Sequence, residues 1–256
     1  MKKTLSSKKS AFSLIELSIV LIIIGLLIAG ITGGASLIKS SELRSIMGEA
    51  RGYAVSVNSF FTQYDQYPGD ASINVGGNCT TTCLGDRDNK IEFVNDNTTT
   101  FTEGWDAWLD LKDIGAIDLA ILAPTSLALP TAMVPNTNFP GSKIKGAGWL
   151  FDYNTDKSQN VVVLTGATLA VPDVANKFLF GSGSTVRSTA VISAPDALSI
   201  DSKIDDGVAN SGNVLAIQPN ASSGSDCNGA APGASYSVVN GSKKVCALSF
   251  RVDVSS

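Results

Sequence analysis

Acidic side chains form two groups in this 256-residue sequence that could bind a metal ion. Asp201, Asp205 and Asp206 bring three carboxylates close together along the chain, and calcium is the cation that prefers such oxygen ligands. Asp86 and Asp88 form a second, smaller group. Each stretch also has the composition of an ordinary turn, and the spacing fits no EF-hand. We therefore interpret the first group as an ordinary turn and keep a calcium site there as the alternative.

The four cysteines could form disulfides or hold a metal. Cys79 and Cys83 are separated by three threonines, and Cys227 and Cys246 enclose eighteen residues. An even number of cysteines in an exported chain favours two disulfides. Three pairings are possible, and we favour the two local ones. A metal site would need all four thiolates because histidine is absent, and the paired Cys-x2-Cys spacing of zinc sites is missing.

The composition argues against an enzyme. Without histidine the chain has no Ser-His-Asp or Cys-His set, and we find no phosphate-binding loop. The formal net charge is −4, so there is no broad attraction to nucleic acid, although a local basic patch would be compatible with it. Calcium is the one cofactor that the sequence leaves open.

An apolar stretch near the start has the length of a membrane span. Residues 12–31 contain a single charge, Glu16, and would form about 30 Å of helix, enough to cross a bilayer. A carboxylate inside such a span costs about 2.5–3.5 kcal/mol, so it needs a partner. Four lysines precede the span, which predicts a cytoplasmic leader and an exported C-terminal part.

Residues 8–64 resemble the N-terminal region of type IV pilins and type II secretion pseudopilins. The resemblance is carried by a basic leader, a small residue, the sequence Phe-Ser-Leu-Ile-Glu-Leu and a long apolar helix. It implies that prepilin peptidase cleaves between Ala11 and Phe12 and methylates the new amino group of Phe12. Ala11 stands where the family usually has glycine. The alternatives are an ordinary secretory signal, whose apolar core is usually about 7–15 residues long, and a plain signal anchor.

The resemblance gives Glu16 a role in assembly. In a filament, the cationic amine of Phe12 in one subunit can meet Glu16 of a neighbour, and such a buried ion pair sets the register. The implied partners are prepilin peptidase, other pilin or pseudopilin subunits, and an inner-membrane assembly platform with its ATPase. The pair Cys227–Cys246 is similar to the C-terminal disulfide loop of many type IV pilins.

One helix is predicted over residues 12–64. Gly33 and Gly34 weaken it, since each glycine costs up to about 1 kcal/mol relative to alanine, and we expect a bend there during filament packing. From Leu43 onward apolar residues recur every three or four positions, which predicts an amphipathic helix. Its polar face comprises Lys39, Glu42, Arg44, Glu49, Arg51 and Gln63.

The rest of the chain predicts a β-rich head with helical inserts. The predicted elements are an end to the long helix at Pro68-Gly69, a helix over Phe101–Leu122 broken at Gly115, a hairpin of Gly148–Tyr153 and Val161–Thr165, a more helical stretch over Ser188–Asp206, and strands Ser235–Val239 and Lys244–Val254 around Asn240-Gly241.

The predicted fold is α+β, and the resemblance to pilins implies that the long N-terminal helix packs on a C-terminal antiparallel sheet. The predicted domains are a leader (1–11), a transmembrane and polymerisation helix (12–34), an amphipathic helix (35–67) and a globular head (68–256). Loss of the leader removes four lysines and lowers the net charge from −4 to −8.

Two functions follow from this organisation. The first is a structural subunit, held in the inner membrane with its head in the periplasm, that assembles into a type IV pilus, reaching the cell surface, or into a type II secretion pseudopilus. The second is a membrane-anchored periplasmic binding protein or adhesin that does not polymerise.

Overall fold

The computed structural model describes residues 13–73, 75, 85–93, 103–118, 134–154, 156–167, 189–217, 227–228 and 235–253. Ala11, Phe12, Cys79 and Cys83 lie outside these residues. The chain divides into two compact units, Met1–Glu42 and Leu43–Ser256.

Helix α1 spans Leu14–Tyr64. Within the first unit it continues through Gly33 and Gly34 without interruption. By length and composition it is the one helix in the described part of the chain that could cross a membrane.

In the second unit, one face of α1 is buried. Leu43, Ile46, Ala50, Val57 and Phe60 are all buried, at the three- and four-residue spacing of a helical stripe. The amphipathic pattern is therefore confirmed. The helix ends at Tyr64, and Gly69 (φ +84°) then turns the chain within the head.

Five strands form the sheet of the head. They are β1 (Gly148–Asn154), β2 (Gln159–Thr165), β3 (Ile192–Ser193), β4 (Val214–Ile217) and β5 (Lys244–Arg251). The order is β1-β2-β5-β3, β4 also pairs with β5, and all of these pairs are antiparallel. The predicted fold class and the β1–β2 hairpin are confirmed.

The described part of the head contains two further α-helices, one before β1 and one between β3 and β4. Helix α2 spans Glu103–Asp113, and Gly115 (φ +71°) follows it, so the predicted break is present. Helix α3 spans Ala194–Ile204 and begins after Ser193, whose Oγ accepts a hydrogen bond from the main-chain N–H of Asp196 (3.4 Å).

The predicted strand Ser235–Val239 is wrong. Residues Val238–Asn240 form a 3₁₀ turn closed by the bond from the N–H of Gly241 to the carbonyl of Val238 (3.2 Å). The exposed side chains of Val238 and Val239 lack the burial that would stabilise a strand. Strand β4 was not predicted, because four residues are too few to establish an alternating pattern.

Glu49 was predicted on the polar face of α1, and the structure places it against the head. Its Oε2 accepts hydrogen bonds from the Oγ of Ser142 (2.7 Å) and the Nε1 of Trp149 (2.8 Å), and its Oε1 accepts one from the N–H of Lys143 (3.1 Å). The carboxylate of Glu49, on the polar face of α1, thus attaches this helix to β1 and to the segment before it.

An aromatic cluster fills the space between α1, α2 and the sheet. The ring of Tyr53 meets Trp108 (4.9 Å between centroids) and Trp149 (5.5 Å) edge-on, and Trp108 packs on Phe151 (4.2 Å). Burial, together with the negative charge of Glu49, raises the pKa of Tyr53. These contacts fix α1 on the sheet.

Candidate functional site

The first turn of α1 is closed by a reciprocal capping interaction. The main-chain N–H of Ser13 donates to Oε2 of Glu16 (2.9 Å), and the N–H of Ile15 donates to Oγ of Ser13 (3.4 Å). A Ser-x-x-Glu sequence before an apolar helix is the signature of this capping box. The Glu16 carboxylate therefore has a main-chain partner in the single chain. The Ser-x-x-Glu signature was present in the sequence, but the cap was not predicted from it.

The apolar side chains of α1 between Leu14 and Ile31 are all exposed. Their exposed fractions run from 45 % at Ile24 to 88 % at Leu14. A helix that is apolar on every side is stable only inside lipid or against other apolar surfaces. This part of the helix therefore suggests membrane anchoring.

Gly33 and Gly34 make no close contact in the single chain. A Cβ atom at either position would meet nothing within 4 Å, so no close packing requires glycine there. The hydroxyl of Thr32 bonds to the carbonyls of Ile28 (3.0 Å) and Ala29 (3.1 Å). The predicted bend on assembly stays a prediction.

The candidate calcium ligands do come together. Oxygen atoms from Asp201, Asp205 and Asp206 lie within 4.8 Å of one another. Asp201 is fully buried and accepts from the hydroxyl of Tyr236 (2.8 Å) and the N–H of Gly207 (3.2 Å). Burial raises the pKa of Asp201. The three side chains could hold a divalent cation, and Asp201 also orders the end of α3.

The other two acids of this group also bind the loop that follows α3. Oδ2 of Asp205 accepts from the N–H of Val214 (3.1 Å). Asp206 accepts from the hydroxyl of Ser211 (2.6 Å) and the N–H of Val208 (2.8 Å), and the first of these bonds is the main cause that lowers the pKa of Asp206. The carboxylates thus have a structural role whether or not they hold a cation.

A second acidic group combines the predicted pair with a residue far away in sequence. Oxygen atoms of Asp70, Asp86 and Asp88 lie within 4.8 Å of one another. Asp70 is buried, and it accepts from the N–H groups of Arg87 (2.6 Å), Asp88 (3.2 Å) and Asn89 (2.9 Å). Burial raises the pKa of Asp70 to about 6. The sequence analysis missed Asp70, because no local pattern links it to residues 86–88.

Helix α2 carries three further buried acids. Glu103 is 1 % exposed and accepts from the N–H groups of Asp86 (3.4 Å) and Glu92 (3.1 Å), and burial raises its pKa to about 9. Asp106 and Asp110 lie one turn apart on the same helix, and burial raises the pKa of both. The sequence analysis assigned no role to these residues.

A disulfide joins Cys227 to Cys246, with 5.1 Å between the Cα atoms. Cys246 lies in β5, so the bond attaches the segment before the C-terminal strand to the sheet. The local pairing predicted for these two cysteines is confirmed.

Comparison with known proteins gives one finding. The family model described as the prokaryotic N-terminal methylation motif matches residues 6–32. No curated protein and no solved structure matches the chain. The matched residues include the leader end, the capping box and the exposed apolar part of α1.

Proposed function

We propose that this chain, which carries the N-terminal methylation motif typical of type IV pilins and pseudopilins, is a structural subunit that polymerises through α1. The motif implies a pilin-like precursor processed by prepilin peptidase. The match over residues 6–32 is the observation that carries this proposal, and the exposed apolar surface of α1 between Leu14 and Ile31 supports it.

Processing would create the charge that assembly needs. Cleavage of the peptide bond between Ala11 and Phe12 frees the α-amino group of Phe12, which the same peptidase methylates and which stays cationic. The carboxylate of Glu16 lies at the first turn of α1, bonded to the N–H of Ser13. This neutral donor can be exchanged for a stronger, charged one, the methylated amine of a neighbouring subunit.

Assembly would then proceed by pairing subunits. The amine of Phe12 in one copy meets Glu16 of a neighbour, so two charges that are costly in lipid are both neutralised and the axial register is set. The apolar surface of α1 leaves the membrane for the filament core at the same time. A bend at Gly33 and Gly34 would help the helices pack.

The proposed location follows from the lysines before the span. The chain would cross the inner membrane once, with its head in the periplasm, where the Cys227–Cys246 disulfide is stable. An assembly platform and its ATPase would extract it into a type IV pilus or a type II secretion pseudopilus. The alternative is an anchored periplasmic binding protein or adhesin, which needs no neighbour for Glu16.

Two measurements test the proposal. Mass spectrometry of the protein from its host should show a chain that begins with methylated Phe12; a chain that still begins at Met1 would overturn it. Glu16→Gln should abolish incorporation into filaments, whereas Ser18→Ala, a change two residues further along the same helix, should leave it intact. Normal filaments from Glu16→Gln would favour the non-polymerising alternative.

Calcium binding by the head is a separate proposal, supported by the short distances among Asp201, Asp205 and Asp206. Calcium should raise the melting temperature of the wild type, and Asp206→Asn should reduce this shift, while Asp156→Asn, an exposed acid in the β1–β2 turn, should not. No heat in a calcium titration and an unchanged melting temperature would dispose of the site.

A further inference from the structure

Two buried acids, Asp106 and Asp110, lie one turn apart on α2, near its contact with Gly69 in the connection that follows α1. Asp106 is 8 % exposed and Asp110 is 6 % exposed. Positions four apart on a helix are neighbours, so the two carboxyl groups face the same side of α2. Two carboxylates in such a place repel each other, and burial penalises both charges.

The surroundings of Asp106 and Asp110 offset only part of the free-energy cost of burying two negative charges. Oδ2 of Asp110 accepts one hydrogen bond, from the main-chain N–H of Gly69 (2.8 Å). Asp106 makes no hydrogen bond and no ion pair with any residue that the structure describes. The charge that acts on both is Asp113, a third acid on the same helix.

The segments that contact α2 carry basic as well as acidic groups, but none of the described cations pairs with Asp106 or Asp110. The titratable groups on these segments, among the described residues, are Glu49, Arg51 and Tyr53 on α1, Asp70 in the connection, Asp86, Arg87, Asp88, Lys90 and Glu92 in the segment 85–93, Lys143 before β1, and Asp152 and Tyr153 on β1. Lys112 is basic but lies on the exposed side of α2. The simplest way to relieve two buried, adjacent negative charges here is to keep one proton.

We propose that Asp106 and Asp110 form a carboxyl–carboxylate pair that holds one proton at neutral pH and makes the junction between α1 and α2 a pH-sensitive switch. Asp110 is the ionised member because it has the N–H of Gly69 as a donor. Asp106, without such a donor, is the protonated member. This inference is independent of whether the chain polymerises.

The junction can respond because it is tightly packed. A Cβ atom on Gly69 would lie 2.2 Å from the carbonyl oxygen of Glu103 and 3.0 Å from the nitrogen of Ala107, so the main chain after α1 lies directly on α2. When the shared proton leaves for solvent, Asp106 and Asp110 are both charged and repel each other within α2, and the new charge must reach water. The tight packing of Gly69 on α2 leaves no room for that water, so this contact must loosen.

Burial of the two carboxyl groups determines in which direction the stability of the fold changes with pH. Burial raises the pKa of both groups above the ordinary carboxyl range, so the folded state holds a proton that the unfolded state releases. Stability is therefore fully present below the unfolded pKa, about 4, and is lost as pH rises into the neutral and weakly alkaline range. Glu103 contributes in the same direction, so the test must isolate the pair.

The experiment compares unfolding of the full chain in detergent micelles at about pH 5 and about pH 9. Wild type should lose stability on alkalinisation. Asp106→Asn should reduce that loss by at least about tenfold in the unfolding equilibrium constant, the equivalent of one pKa unit. Asp156→Asn should behave as wild type. Asp110→Asn, whose amide oxygen can still accept from Gly69, replaces Asp106→Asn if the latter does not fold.

A second readout reports the proton directly. Infrared difference spectra at neutral pH should show the carbonyl band of a protonated carboxylic acid, and this band should weaken in Asp106→Asn. Equal pH dependence in wild type and Asp106→Asn, or a band unaffected by the substitution, would overturn the proposal.

Discussion

Glu49 provides a sharp test of how α1 is attached to the head. Its carboxylate accepts three hydrogen bonds, from Trp149, Ser142 and Lys143. Trp149 is fully buried, whereas Lys143 is exposed and Ser142 is half-buried. In Glu49→Ala, water can replace the acceptor for Ser142 and Lys143 but not for the indole N–H of Trp149.

The expected cost follows from this difference in burial. A charge-assisted hydrogen bond with a buried donor left without an acceptor costs about 2–3 kcal/mol, and the two solvent-accessible donors add about 1 kcal/mol together. We therefore expect Glu49→Ala to lower the free energy of unfolding by about 3–4 kcal/mol. Glu49→Gln, which keeps one carbonyl oxygen, should cost about half as much. Glu42→Ala on the same helix should cost less than about 0.5 kcal/mol.

Urea unfolding of the full chain in micelles, followed by tryptophan fluorescence and far-ultraviolet circular dichroism, measures these values. The Glu49–Trp149 bond is isolated by a double-mutant cycle with Trp149→Phe, which removes the donor and keeps an aromatic ring. The coupling energy should be about 2 kcal/mol. A coupling near zero, or Glu49→Ala within about 0.5 kcal/mol of wild type, would refute the assignment of the bond as an attachment of α1.

Three further changes should destabilise the head, each measured by thermal or urea unfolding. Gly69→Ala should cost about 2 kcal/mol or more, because the residue has φ +84° and no space for a Cβ; a neutral result would contradict the packing of Gly69 on α2. Replacing both Cys227 and Cys246 by serine should cost about 3 kcal/mol, the entropy of a loop of this length, and reductant should destabilise the wild type at least as much. Ser193→Ala should cost about 1 kcal/mol through the lost cap of α3.

Features that depend on local pattern could be predicted from the sequence. The apolar run and the three- and four-residue spacing define α1. Gly115, whose φ is positive, lies just beyond the end of α2. The β1–β2 hairpin follows from two β-branched and aromatic runs around a polar turn. Each of these signals lies within a short window of sequence, so no knowledge of tertiary contacts is needed.

Features that depend on distant contacts could not be predicted. Glu49 satisfies every rule for a solvated helix face, yet its partners lie about a hundred residues further along the chain. Asp70 meets residues 86–88 only because the chain folds back after α1. The predicted strand at Ser235–Val239 failed for a related reason: its β-branched residues have the right propensity, but none of the described strands buries them.

The buried acids show how carboxylates can be stabilised inside a head that has few basic residues. Asp70, Glu103, Asp110 and Asp201 are all buried, and the hydrogen bonds described here show each accepting from main-chain N–H groups. Such bonds order loops without a counter-charge, but a neutral donor offsets only part of the penalty for burying a charge. The raised pKa values are the consequence, and they couple the stability of the head to protons. Asp106, which has no main-chain donor among the residues that the structure describes, is where that coupling should be strongest.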